Sequence, residues 1–66
     1  MGIGDVAAGL ALGKKYRIPR LGTSWVEVKE IEPGKSIVAQ VQEGGTFHKF
    51  VCPGDDIMRT DWVEVT

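Results

Sequence analysis

The stretch "SWVEVKEIEPGKSIVAQVQEGGTFHKFVC", residues 24–52, decides the fold. Two turn signals divide it. Pro33-Gly34 is the pair a type II turn takes at its central positions. Gly44-Gly45 offers the positive φ that a two-residue hairpin loop needs. The three runs around these turns are rich in β-branched and aromatic residues, and they read as an antiparallel meander. Pairing Glu32 with Lys35 sets Val28 opposite Ala39 and Val26 opposite Val41. Pairing Glu43 with Thr46 sets Val41 opposite His48 and Ala39 opposite Phe50. Both turns then place Val26, Val28, Ile37, Ala39, Val41, Phe50 and Cys52 on one face, which is the expected core. A slip of one residue would invert a strand. The alternation changes phase near Glu30 and Ile31, where a bulge or a strand end is expected.

Two further strands flank the meander. In "KKYRIPR" (14–20), Tyr16 and Ile18 fall on one side and Lys15 and Arg17 on the other; Pro19 suits an edge. "DWVEV" (61–65) is the last strand, with Val63 and Val65 expected inward. Before it, Asp55 or Asp56 is placed to cap a helical turn over 57–59. Residues 1–13 hold four glycines, three alanines, two leucines and a single charge. They read as a short helix over 5–12, with Asp5 at its start and Gly13 past its end. Gly9 within it costs about 1 kcal/mol relative to Ala. The expected organisation is an apolar segment at 1–13 and a small β-barrel at 14–66. Five short strands with one helical turn before the last resemble the SH3-like small barrel, in an all-β chain. An OB-like barrel is the alternative, less suited to such tight connections.

Composition sets the functional classes. Sixty-six residues make one domain, with a net charge of −1; such a chain buries only about 60% of its unfolded surface. Oligomerisation is one way to supplement so small a core; residues 1–13 are expected to dock, either on the domain itself or on a neighbouring subunit, because Ile3, Val6 and Leu10 are costly to leave in water. Eight basic residues against nine acidic exclude binding to nucleic acid by bulk attraction, though not by a local stripe. Cys52 is the single cysteine, so no disulfide forms within the chain; with no apolar run near ~20 residues and no basic segment before an apolar one, a cytoplasmic protein is expected. Its size suits a small accessory protein of the kind carried by phages and mobile elements.

The tetrapeptide Trp-Val-Glu-Val occurs twice, at 25–28 and 62–65. With valines inward, Trp25, Trp62 and Glu27 point outward. The meander register adds Phe47 beside Trp25, and a row of Glu27, Gln40 and Lys49. Tryptophan is enriched among interface hot spots, so Trp25, Phe47 and Trp62 are the expected anchors for a protein partner, with Gln40, Lys49 and Glu27 setting register. The competing reading makes Trp25 and Phe47 a second small core. A different class, nucleic-acid binding, would use the basic cluster Lys14, Lys15, Arg17 and Arg20 with the aromatics; a charged edge that resists strand pairing explains the same residues. The third class is a structural subunit of an assembly.

Enzymatic chemistry finds little support. His48 and Cys52 lie four residues apart on one strand, roughly 13 Å, too far to share a metal or a proton. Neither has a second His or Cys beside it as a zinc site requires. Asp55 and Asp56 are accounted for by capping and turn formation. The glycines match neither a phosphate loop nor a dinucleotide fingerprint. No catalytic residue, metal or cofactor is expected.

Overall fold

In the computed structural model, which describes residues 1–65, helix α1 (Ile3–Ala11) precedes strand β1 (Lys15–Arg17) and a 3-10 turn (Pro19–Leu21). Strands β2 (Trp25–Glu32), β3 (Lys35–Val41) and β4 (Phe47–Lys49) follow, then the one-turn helix α2 (Gly54–Ile57) and strand β5 (Val63–Val65). The strands form one antiparallel sheet in the order β4-β3-β2-β1-β5. The sheet is open, with β4 and β5 at its edges, so the expected closed barrel is not seen. Among the described residues, no helix is long and apolar enough to cross a membrane.

Helix α1 covers one face of the sheet. Val6 is buried there with Tyr16, Ile18, Leu21, Val26 and Trp62, and Ile3, Leu10, Phe50 and Cys52 pack around them. Ile3, Val6 and Leu10 follow the three-and-four spacing of a helix face. The helix starts at Ile3, two residues before the expected boundary, with Gly2 as N-cap and no side-chain cap. Asp5 lies in the first turn, where a carboxylate complements the helix dipole. The C-terminus closes as expected: Gly13 takes φ +84°, and the N–H groups of Lys14 and Gly13 donate to the carbonyls of Gly9 and Leu10, both at 3.0 Å. This is the Schellman arrangement, which favours glycine at that position. Of the two docked arrangements expected for residues 1–13, the structure shows the one on the chain's own sheet.

The two turns form, but each shifts the expected register by one residue. Glu32 pairs with Lys35 around Pro33-Gly34, with Gly34 at φ +80°, as a type II turn requires. A bulge between Glu30 and Glu32 then displaces the ladder, so that Val28 faces Val38 and Val26 faces Gln40. At the second turn Gln42, not Glu43, exchanges hydrogen bonds across the loop. Its N–H donates to the Thr46 carbonyl at 2.8 Å, and Gly45 N–H donates to the Gln42 carbonyl at 3.0 Å. The loop has three residues rather than two, so Val41 faces Phe47 and Gln40 faces His48. The two shifts cancel between β2 and β4, which keep their expected relation. They invert β3 alone. Ile37, Ala39 and Val41 therefore lie on the face opposite α1, whereas Val38 and Gln40 share the face of Val26 and Val28.

The repeated tetrapeptide is read in opposite phases. In the first copy Val26 is buried and Trp25 lies on the face opposite the helix. In the second, β5 pairs with β1 so that Glu64 faces Tyr16 and Val63 faces Arg17. Trp62 then falls on the Tyr16 side and is 2% exposed, while Val63 is 51% exposed. The expectation of an outward Trp62 and an inward Val63 is reversed. The Trp62 ring meets Phe50 edge-on at 6.4 Å, and its Nε1–H donates to the Asp56 carbonyl at 3.1 Å. A buried indole needs such an acceptor, and α2 supplies it.

Gly9 explains why a glycine sits mid-helix. A Cβ there would lie 1.7 Å from the Tyr16 hydroxyl, whereas one at Gly4 would meet nothing within 4 Å. Alanine at an open helical position gains up to about 1 kcal/mol, but overpacking a core costs about 1–3 kcal/mol. Denaturant unfolding should therefore find Gly4→Ala neutral to stabilising and Gly9→Ala destabilising.

Candidate functional site: the sheet face opposite the helix

The face not covered by α1 carries alternate residues of the central strands. One row runs Trp25–Val41–Phe47 and the next Glu27–Ala39–Lys49, with Lys29 beside Ile37 in the third. Trp25 and Phe47 flank Val41, which is buried, and Glu27 and Lys49 flank Ala39, which is fully covered. Large side chains thus shelter small ones, and lysine stems lie over apolar surface as long charged residues do. Trp25 is half-buried and Phe47 is 43% exposed. Helix α1 lies on the other face and does not cover this pair; the rings flank Val41 and remain partly open to solvent.

The polar groups are interlocked. Trp25 Nε1–H donates to Glu27 Oε1 at 3.1 Å. The same oxygen is 3.8 Å from Lys29 Nζ. Lys15 Nζ stands 5.1 Å from the Trp25 ring centroid, and Lys29 Nζ stands 5.5 Å from that of Phe47. Each is within the ~6 Å range of a cation–π contact, about 0.5–1 kcal/mol at exposed sites. Exposed ion pairs of this kind are worth little, so the ladder orients the rings more than it stabilises the fold.

Two expected members of the partner surface lie elsewhere. Gln40 shares the row of Val26 and His48, because β3 is inverted. Trp62 is in the core. The basic cluster is also divided. Lys15 and Arg17 project onto the face opposite α1, as expected. Lys14 Nζ lies 3.6 Å from a Glu64 carboxylate oxygen. Arg20, expected in the nucleic-acid stripe, is instead bound to Asp56: Nε donates to both carboxylate oxygens, at 3.1 and 2.9 Å, and NH2 to Oδ2. Asp56 is buried and makes no helix cap, since Pro53 is the N-cap of α2. Its carboxylate ties α2 to the 3-10 turn, and its carbonyl holds Trp62. The Arg20 guanidinium keeps the Asp56 carboxyl below the usual carboxylate range, and Arg59 does the same for Asp61.

On the helix side, an apolar cleft of about 190 Å³ opens between α1 and the sheet; Val38, Phe50, Cys52 and Trp62 form part of its lining. Burial pushes the Cys52 thiol pKa up, which disfavours the reactive thiolate. Among the described residues, no three His, Cys, Asp or Glu side chains are grouped to hold a metal ion. Compared with known proteins, the chain matches no family model, no curated protein and no solved structure.

Two measurements test this arrangement. In acrylamide quenching, the accessible emission should come from Trp25, so Trp25→Phe should leave a signal quenched several-fold less than wild type. For Asp56, the folded-state pKa lies below the unfolded value. Its stabilisation is present above the ordinary carboxylate pKa of about 3.9 and is lost as pH falls through the lower folded value. Asp56→Asn should lower Tm at neutral pH and flatten the loss of Tm on acidification below about pH 4.

Proposed function

We propose that this chain is a non-enzymatic binding module that docks a protein partner on the sheet face opposite α1. The observation that carries the reading is the row Trp25–Val41–Phe47, an aromatic pair over a small core on the face that α1 leaves uncovered. Aromatic side chains held in fixed orientation on a rigid sheet are the usual anchors of an interface. Trp25 and Phe47 serve as anchors, with Glu27 and Lys49 in the adjacent row setting register. Five short antiparallel strands with a helical turn before the last support reading the open sheet as a variant of the SH3-like plan. A small cytoplasmic accessory role fits the size.

Nucleic-acid binding is the second reading, favoured by Lys15 and Arg17 projecting onto the same face. It is the weaker one. Stacking needs free ring faces, but Lys15 already lies over Trp25 and Lys29 over Phe47. Two of the four residues of the expected stripe, Lys14 and Arg20, are also engaged with carboxylates.

Selection of a random dodecapeptide library on the full chain, with wild type and Trp25→Ala/Phe47→Ala in parallel, tests the proposal. Peptides retained by wild type should shift amide resonances of β2 and β4. They should bind the double variant about 30-fold more weakly, the equivalent of a 2 kcal/mol hot spot. Equal binding to the two proteins, or shifts confined to the α1 side, would refute it.

A further inference from the structure

We infer that the partner docked on this face is acidic; the inference rests on the docking reading above. The register sorts charge by side. Lys15 and Arg17 on β1, Lys29 on β2, Lys35 on β3 and Lys49 on β4 lie opposite α1, with two carboxylates among them, Glu27 and, past the bulge, Glu32 opposite Lys35. The face carries five positive charges and two negative, a balance of +3. The whole chain has eight basic and nine acidic residues, −1 in all. The remaining three basic and seven acidic residues therefore sum to −4. A chain near neutrality overall is strongly polarised across its sheet.

Three details sharpen the assignment. Glu64, which the sequence pattern puts on the basic face, faces Tyr16 and pairs with Lys14, so it does not offset Lys15 and Arg17. Among the described residues, Arg17 and Lys49 have no carboxylate within salt-bridge distance, and Glu27, the acid in the row beside the aromatic pair, is already shared between Trp25 and Lys29. Lastly, Lys29 and Lys15 lie over the two aromatic rings. A partner that covers the rings must also meet these ammonium groups. Burying them without opposite charge would be unfavourable, whereas partner carboxylates would pair with them and steer the encounter. A polynucleotide supplies negative charge too, but stacks its bases only on ring faces that these lysines cover. The observations thus favour a polypeptide surface bearing Asp or Glu beside an apolar anchor.

The same dodecapeptide selection on the full chain, read by composition, gives the test. Bound peptides should be enriched in Asp and Glu over the input library. The affinity of a representative acidic peptide should fall at least tenfold between 50 and 500 mM NaCl, as screening of exposed charges requires. Arg17→Glu/Lys49→Glu, two exposed substitutions that leave the aromatic rings in place, should weaken it at least tenfold without loss of Tm. Peptides that shift β2 and β4 resonances but are neutral or basic would overturn the acidic partner and leave the docking face standing. Peptides that bind elsewhere would remove both. An oligo(dT) strand that binds this face more tightly than the acidic peptide at equal charge and salt would replace the polypeptide with nucleic acid.

Discussion

One residue bulged out of β2 at Ile31 determines which side of the sheet each residue of β3 faces. Side chains alternate with a period of two, so a single extra residue converts inward to outward along a strand. The three-residue loop at Glu43–Gly45 supplies a second extra residue, and the phase returns at β4. The rows Trp25–Val41–Phe47 and Glu27–Ala39–Lys49 exist because both insertions are present. With either alone, Phe47 and Lys49 would fall on the side opposite to Trp25 and Glu27.

The inversion of β3 divides the apolar residues of the meander between two cores. One lies under α1 and is built on Val26, Tyr16 and Trp62; the other lies opposite and consists of Ala39 and Val41 sheltered by larger neighbours. A thin sheet with apolar contacts on both sides extracts burial from more of its residues than a one-sided sheet does. For a chain of this size that matters, because surface is large relative to volume. The second core also fixes the aromatic pair in place, and the exposed part of Phe47 and the polarised charge add to the argument for docking.

Trp62, Asp56 and Arg20 perform a different task. The chain leaves β4, makes one turn of helix, and enters β5 at the far edge of the sheet. The indole donates to the α2 backbone, and the carboxylate of the same residue holds the 3-10 turn that follows β1. Three segments distant in sequence are tied at one residue, which removes Arg20 from any basic stripe and Trp62 from any outer surface.

The sequence alone determined the positions of the turns, the antiparallel meander, the flanking strands at Lys15–Arg17 and Val63–Val65, the helix at the N-terminus, and the pairing of Trp25 with Phe47. These follow from local chemistry: glycine and proline at fixed offsets, β-branched runs, and a relation between β2 and β4 in which two register errors cancel. Tertiary structure alone decided the side taken by Gln40, the burial of Trp62, and the pairing of Arg20 with Asp56. The bulge at Ile31 was signalled by a change of phase, but its effect on β3 was not, because Ile37-Val38-Ala39-Gln40-Val41 presents an apolar residue to either face. The two copies of Trp-Val-Glu-Val are identical, so no local property could assign them opposite phases. Long-range contacts did so: Tyr16 opposite Glu64 fixes the register of the last strand, and the α2 carbonyl accepts the indole N–H that burial would otherwise leave without a partner.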